Sequence, residues 1–152
     1  MAAPLHAAPP AGSPSGAEAR RPVPASPRRA LVLVAHGSRR EGSNDEVRRL
    51  TAHLRSQAEE HYPVVELGFL ELAEPGLDRA LETAISRGVA EVVVLPYFLA
   101  AGRHVREDVP AVVEAVRLRH PEVYFRVTPH LGATEAVAEI LLRLAEETPT
   151  RV

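Results

Sequence analysis

Residues 93 to 110 read VVLPYFLAAGRHVREDVP, and the reading of this stretch decides the fold. An uninterrupted apolar run is the pattern of a strand covered on both faces. Here the run opens into a loop containing Gly102, which delivers His104 just before an Asp-x-Pro helix start. The same order occurs earlier, where ALVLVA over residues 30–35 leads straight into His36-Gly37-Ser38. Parallel, neighbouring strands would turn both imidazoles into one crevice, the place where open α/β sheets bind ligands.

Strand and helix alternate outward from these two units. Leu31 to Ala35 predicts the first strand, and residues 36–43, with two glycines and two serines, predict a loop. Ser43 or Asn44 is placed to cap a helix whose apolar positions Val47, Leu50, Leu54 and Ala58 recur every three or four residues. Pro63 ends that helix near His61. Val64 to Leu72 predicts a second strand, less continuous than the first and therefore nearer an edge.

Pro75 suits the first turn of a second helix, with Leu77, Ala80, Leu81, Ala84 and Ile85 inward and Gly88 closing it. Glu91 to Leu99 predicts the third strand, residues 102–108 a loop, and Pro110 the first turn of a third helix. Val123 to Thr128 predicts a fourth strand. Ala133 to Glu147 predicts a last helix carrying Ala136, Val137, Ile140, Leu141 and Leu144 on one stripe. Four βα units imply an α/β fold: a small doubly wound, parallel four-stranded sheet with helices on both faces. So small a sheet is expected to cover apolar surface by dimerising.

Composition narrows the function. The chain has 152 residues, 45% apolar and 25% charged, which suits one modest domain. Cysteine is absent, so disulfides, thiolate nucleophiles and cysteine-type metal sites are excluded and any metal must have nitrogen or oxygen ligands. A net charge of −2 gives no reason to expect nucleic acid. No apolar run approaches the roughly 20 residues of a membrane span. Residues 1–28 hold seven prolines among Ala, Ser and Arg, and read as a disordered tail ahead of a single α/β domain at 29–148. The tail lacks a secretory core and its prolines oppose a transit helix, so the expected compartment is the cytoplasm.

Several residues carry candidate chemistry. His36 and His104 suit metal ligation and proton transfer near neutral pH, although either imidazole could instead cap the sheet edge through a carbonyl. Glu71, after the second strand, would complete a two-histidine, one-carboxylate set with open positions, a donor type for divalent iron, cobalt or nickel. It could equally be an exposed acid near a helix start. His130, after the fourth strand, shares the edge and is a candidate lining residue, with a structural role the simpler reading. His53, His61 and His120 lie on helix bodies or ends and read as solvated surface. No Gly-x-Gly-x-x-Gly, Walker loop or Gly-x-Ser-x-Gly elbow is present, so the local requirements of nucleotide binding and serine hydrolysis are missing.

AHGSR followed by Asn44, FLELAEP, and above all LPYFLAAGRHVREDVP resemble the short form of the sirohydrochlorin chelatase family, the small CbiX proteins. The resemblance spans residues 30 to 147. It implies a class II chelatase, an ATP-independent lyase that inserts Co²⁺ or Fe²⁺ into sirohydrochlorin for cobalamin or siroheme, with Ni²⁺ a further possible substrate and no nucleotide. It also implies that His36 and His104 bind metal and accept protons, that Glu71 is the catalytic acidic residue, and that single-unit chains pair as homodimers. The substrate carries many carboxylates, which charge-assisted bonds from Arg39, Arg40, Arg103 and Arg106 would suit. Ser38, Gly102 and His130 are the other candidate substrate contacts. The competing readings are a metal or tetrapyrrole carrier without turnover and, last, a flavodoxin-like regulatory domain.

Overall fold

The structure is a computed structural model that describes residues 28–58 and 60–147. The Pro-rich segment read as a tail falls, apart from Arg28, outside the described residues. Four strands, β1 (Arg29–Ala35), β2 (Val64–Phe69), β3 (Glu91–Pro96) and β4 (Tyr124–Val127), form one sheet in the order β2-β1-β3-β4. All three pairings are parallel. β2 lies at an edge, as its interrupted pattern predicts.

The register sets the function-bearing ends level. Ala35 of β1 pairs with Phe69 of β2, and Val34 pairs with Pro96 of β3. Residues immediately beyond these three strands therefore emerge side by side. β1 is buried along almost its whole length because both faces are covered.

Alternation of side chains along β1 assigns each face its helices. Leu31, Leu33 and Ala35 pack with Val47, Leu54 and Ala58 of α1 (Glu41–Ala58). Ala30, Val32 and Val34 face α2 (Leu77–Ser86) and α3 (Val109–Arg119), which supply Leu77, Leu81, Val109, Val113 and Val116. Each such fully buried side chain stabilises the fold by about 1.5–3 kcal/mol relative to exposure. Gly88, at φ +73°, turns the chain out of α2 as expected.

Several expected boundaries move, each for a local reason. α1 starts at Glu41 rather than after a Ser43 or Asn44 cap, because Asn44 is buried and its amide is spent on the preceding loop. Leu50, expected inward, is exposed, and Thr51 takes the buried position. β2 stops at Phe69 because Leu72 adopts a left-handed conformation, φ +63°, that reverses the chain. Pro75 precedes α2 instead of starting it: its carbonyl accepts the Phe69 N–H, holding it in a strand-like crossing. β3 ends at Pro96 rather than Leu99.

The expected loop at 102–108 is in part helical. His104 to Asp108 form a π-type turn that runs directly into α3, with the Val109 N–H donating to the His104 carbonyl. Pro110 has no N–H to offer the carbonyl four residues back, so the ordinary helical ladder is already interrupted there. α4 (Ala136–Glu146) follows a short 3₁₀ turn at Leu131–Ala133, and it buries no residue. Its apolar stripe faces outward, with Leu141 and Leu144 60% and 55% exposed.

Candidate metal centre

His36 is the first residue beyond β1, and its loop is held by Asn44. The Asn44 amide accepts the Ser38 N–H at 2.9 Å and donates to the Ser38 carbonyl at 2.8 Å, so one buried side chain satisfies both backbone groups. Gly37, at φ +93°, lies against the 71–73 segment, and a Cβ there would stand 1.8 Å from the Glu71 carbonyl oxygen. Only glycine permits this approach. The Glu71 N–H donates to the His36 carbonyl and the Leu70 N–H to that of Ala35, which continues the β1–β2 ladder past the end of β2.

Arg48 of α1 fixes the same segment from below. It donates to the Glu74 carbonyl at 3.2 Å and lies over the Phe69 ring at 5.6 Å. It also pairs with Glu41 and Asp45. Hydrogen bonds from Asn44 and then Arg48 lower the Glu41 carboxyl below its ordinary value, and those that Arg48 donates to Glu41 and Asp45 raise its guanidinium.

These supports bring three donors together. His36 Nε2 lies 2.9 Å from His104 Nε2 and 3.0 Å from Glu71 Oε1, while His104 Nε2 and Glu71 Oε1 are 4.0 Å apart. The imidazole planes stand at 84° to one another. A point equidistant from the three atoms lies about 2.0 Å from each, inside the triangle they draw. That is the bond length expected for a divalent metal on imidazole nitrogen and carboxylate oxygen. Within the described residues it is the one His, Asp or Glu group of three able to hold a metal ion.

The tautomers agree with this fit. Gly37 O, 3.1 Å from His36 Nδ1, can only accept, and the Asp108 carboxylate accepts likewise through Oδ2, 2.7 Å from His104 Nδ1. Both Nδ1 atoms therefore carry hydrogen, and in the neutral rings both Nε2 lone pairs are left to face Glu71. In that state the three atoms form a donor set that a cation between them would satisfy. The side chains of His36, Glu71 and His104 are 43%, 50% and 34% exposed, so such a cation would keep open coordination positions toward solvent.

The other candidates lie around this group. Ser38 accepts the Arg40 N–H through its hydroxyl, and its backbone is occupied by Asn44. Arg39, Gly102 and Arg103 are exposed, with Arg103 Nε 3.4 Å from Glu107 and 3.9 Å from Asp108. A cavity of about 220 Å³ opens beside His36, between Val47, Phe69 and Tyr97. His130 does not join the three donors: its loop packs on the 98–99 segment, where Gly132 N–H donates to the Phe98 carbonyl and a Cβ would meet the Leu99 oxygen at 1.9 Å. His120, read as solvated, is half-buried and bonded to Glu82 at 2.8 Å, tying α3 to α2. The residues that sequence reasoning missed are Asn44 as a backbone brace and Asp108, whose four-residue spacing from His104 carries a signal only if that loop is read as a helical turn.

A parallel four-stranded sheet that gathers two imidazoles and a carboxylate at its carboxyl edge defines a class: α/β proteins with an open edge whose donor set could hold a metal ion. The CbiX family model matches residues 30–148, and the chain belongs to that family. It is 30% identical over 120 residues to the sirohydrochlorin ferrochelatase of Priestia megaterium, covering 78% of this chain and 44% of that protein. It is 29% identical over 124 residues to the sirohydrochlorin cobaltochelatase of Saccharolobus solfataricus, covering 78% and 94%. The chain spans between 44% and 62% of the length of four of the curated relatives it matches.

Solved structures agree. A CbiX protein from Marinobacter aquaeolei VT8 superposes with a TM-score of 0.65 at 31% identity, over 78% of this chain and 95% of that one. SirB from Bacillus subtilis with Fe³⁺ superposes with a TM-score of 0.71 at 26% identity, over 80% and 48%.

Proposed function

We propose that this protein inserts a divalent metal, Co²⁺ or Fe²⁺, into sirohydrochlorin, with His36, His104 and Glu71 holding the incoming ion. The observation that carries this reading is the convergence of three acceptor atoms on a point about 2.0 Å from each. Relatives named for the same reaction with cobalt or iron support it. The metal is a substrate here, so it must be captured and then released. Two imidazoles and one carboxylate, all reachable by solvent, form a modest ligand set suited to that.

Insertion replaces two pyrrole N–H protons by M²⁺, so a base must stand at the metal's own position. As the ion leaves for the macrocycle, the freed Nε2 atoms of His36 and His104 are acceptors already aimed at the spot from which those protons depart. The Nδ1 hydrogen bonds to Gly37 and Asp108 hold the rings in place during this exchange. Arg39 and Arg103, both exposed, would pair with the substrate's carboxylates, and Ser38, Gly102 and His130 are the other candidate contacts. No nucleotide is required, because metal binding by the macrocycle drives the step. Ni²⁺ is a further candidate, since supply rather than ligand affinity selects among such ions.

The working form is proposed to be a homodimer. α4 buries none of its apolar stripe within the chain, and Tyr124 on the terminal strand is also exposed, so a second copy has surface to cover.

The test is a product assay. Protein, sirohydrochlorin and Co²⁺, Fe²⁺ or Ni²⁺ are mixed without nucleotide, and the metallated product is followed by absorbance. Many equivalents per chain are expected, and His36→Ala and His104→Ala should lower the rate at least ~100-fold, a loss typical of removing a proton acceptor. At most one equivalent would point to a carrier, and full turnover by the double variant would refute the role of the histidines.

A further inference from the structure

The two imidazoles are not held alike. His36 bonds a neighbouring backbone carbonyl at 3.1 Å, whereas His104 bonds a carboxylate at 2.7 Å. We propose that Asp108 is a positioning residue, which fixes the ring orientation and tautomer of His104 so that its Nε2 lone pair faces the metal. This rests on the reading of His104 as a metal ligand.

Three observations carry it. Asp108 occupies the N-cap position of α3 yet makes no capping hydrogen bond, so its carboxylate is not employed in starting that helix. One of its oxygens lies on His104 Nδ1, and the other is 3.9 Å from the Arg103 guanidinium, which leaves the carboxylate set between an imidazole and a cation. Finally, the π-type turn places residues 104 and 108 on one side of the chain, and such turns inside helices recur at functional sites.

The physical need is clear from the ring itself. A histidine χ2 is a soft, broad torsion, and an imidazole without an outer partner can turn its N–H toward the metal position. A carboxylate at Nδ1 removes that state, and it makes Nε2 a better donor by drawing on the Nδ1 hydrogen. Arg103 then belongs to the support of Asp108 as much as to the substrate rim.

The test is a double-mutant cycle read by Co²⁺ titration of wild type, Asp108→Ala, His104→Ala and the pair. Asp108→Ala is expected to weaken Co²⁺ binding 10- to 100-fold. In the His104→Ala background it should change binding less than twofold, because Asp108 acts only through that ring. Asp108→Asn keeps an acceptor oxygen and should recover part of the loss. A ¹⁵N-edited spectrum of the protein at saturating Zn²⁺ should show the His104 Nδ1–H in wild type, and lose it by solvent exchange in Asp108→Ala.

Equal Co²⁺ affinity in wild type and Asp108→Ala would overturn the proposal, as would an equal loss with and without His104. If wild type itself binds no Co²⁺, the metal reading fails rather than the positioning role alone. Far-ultraviolet circular dichroism of each variant separates either result from loss of fold.

Discussion

Gly37 and Glu71 are in backbone contact: the position a Gly37 Cβ would occupy lies 1.8 Å from the Glu71 carbonyl oxygen. Gly37→Ala must push the 71–73 segment away from His36, and it also forces a β-carbon on φ +93°. We expect a loss of at least ~2 kcal/mol in stability, from strain and steric displacement together. Denaturant titration checks this, and a metal titration should show weaker Co²⁺ binding even in the folded fraction.

Asn44 is expected to be as important without touching the metal position. Removing its buried amide leaves the Ser38 N–H and C=O without their side-chain partner. Asn44→Ala should cost about 2–3 kcal/mol by thermal or chemical unfolding. A change under ~0.5 kcal/mol would contradict the brace assigned to it.

Leu72 gives the opposite sign. Its φ of +63° is unfavourable for a branched side chain, and half of the residue is exposed. Leu72→Gly relieves the strain and gives back some unfolded-state entropy, for a net gain near ~0.5–1 kcal/mol. A rise in Tm checks it; a fall would mean that the exposed side chain packs more than its surface suggests.

The Glu82 cluster sets a pH dependence far from the metal position. Hydrogen bonding by Arg119, and then by His120, lowers the Glu82 carboxyl below its ordinary value of 4.5. A carboxyl lowered in the folded state stabilises at pH above 4.5 and loses that contribution as pH falls through its lower folded value. Since Glu82 is 40% exposed, solvent screening limits the effect to below ~1 kcal/mol. Glu82→Gln should therefore be less stable than wild type at pH 7, with the difference vanishing at a pH below the lowered folded value, where both side chains are neutral. Unfolding curves at the two pH values test the convergence.

Much of this was legible in the sequence because the strongest signals were physical ones. Uninterrupted apolar runs at residues 31–35 and 92–95 mark the two central strands, with His36 directly beyond the first and His104 delivered by the loop that follows the second, both at the carboxyl edge. Glu71 was legible only as a carboxylate near a strand end. What brings it onto His36 is the left-handed Leu72 and the Gly37 contact, and neither conformation follows from residue type, since leucine rarely adopts φ above zero. The turn at 104–108 is hidden because Gly102 marks a loop and Pro110 reads as the first turn of the next helix, so residues 102–108 look like loop and Asp108 does not stand out as a partner of His104. α4 was legible as an amphipathic helix, but periodicity cannot say whether the apolar stripe is met by the same chain.

The most direct test of the central claim is X-ray absorption at the cobalt edge on the protein loaded with one equivalent of Co²⁺. Two imidazole nitrogens and a carboxylate oxygen at about 2.0–2.2 Å are expected, with one imidazole fewer in His36→Ala and in His104→Ala. A coordination shell containing no imidazole, or one unchanged in both variants, would contradict the account.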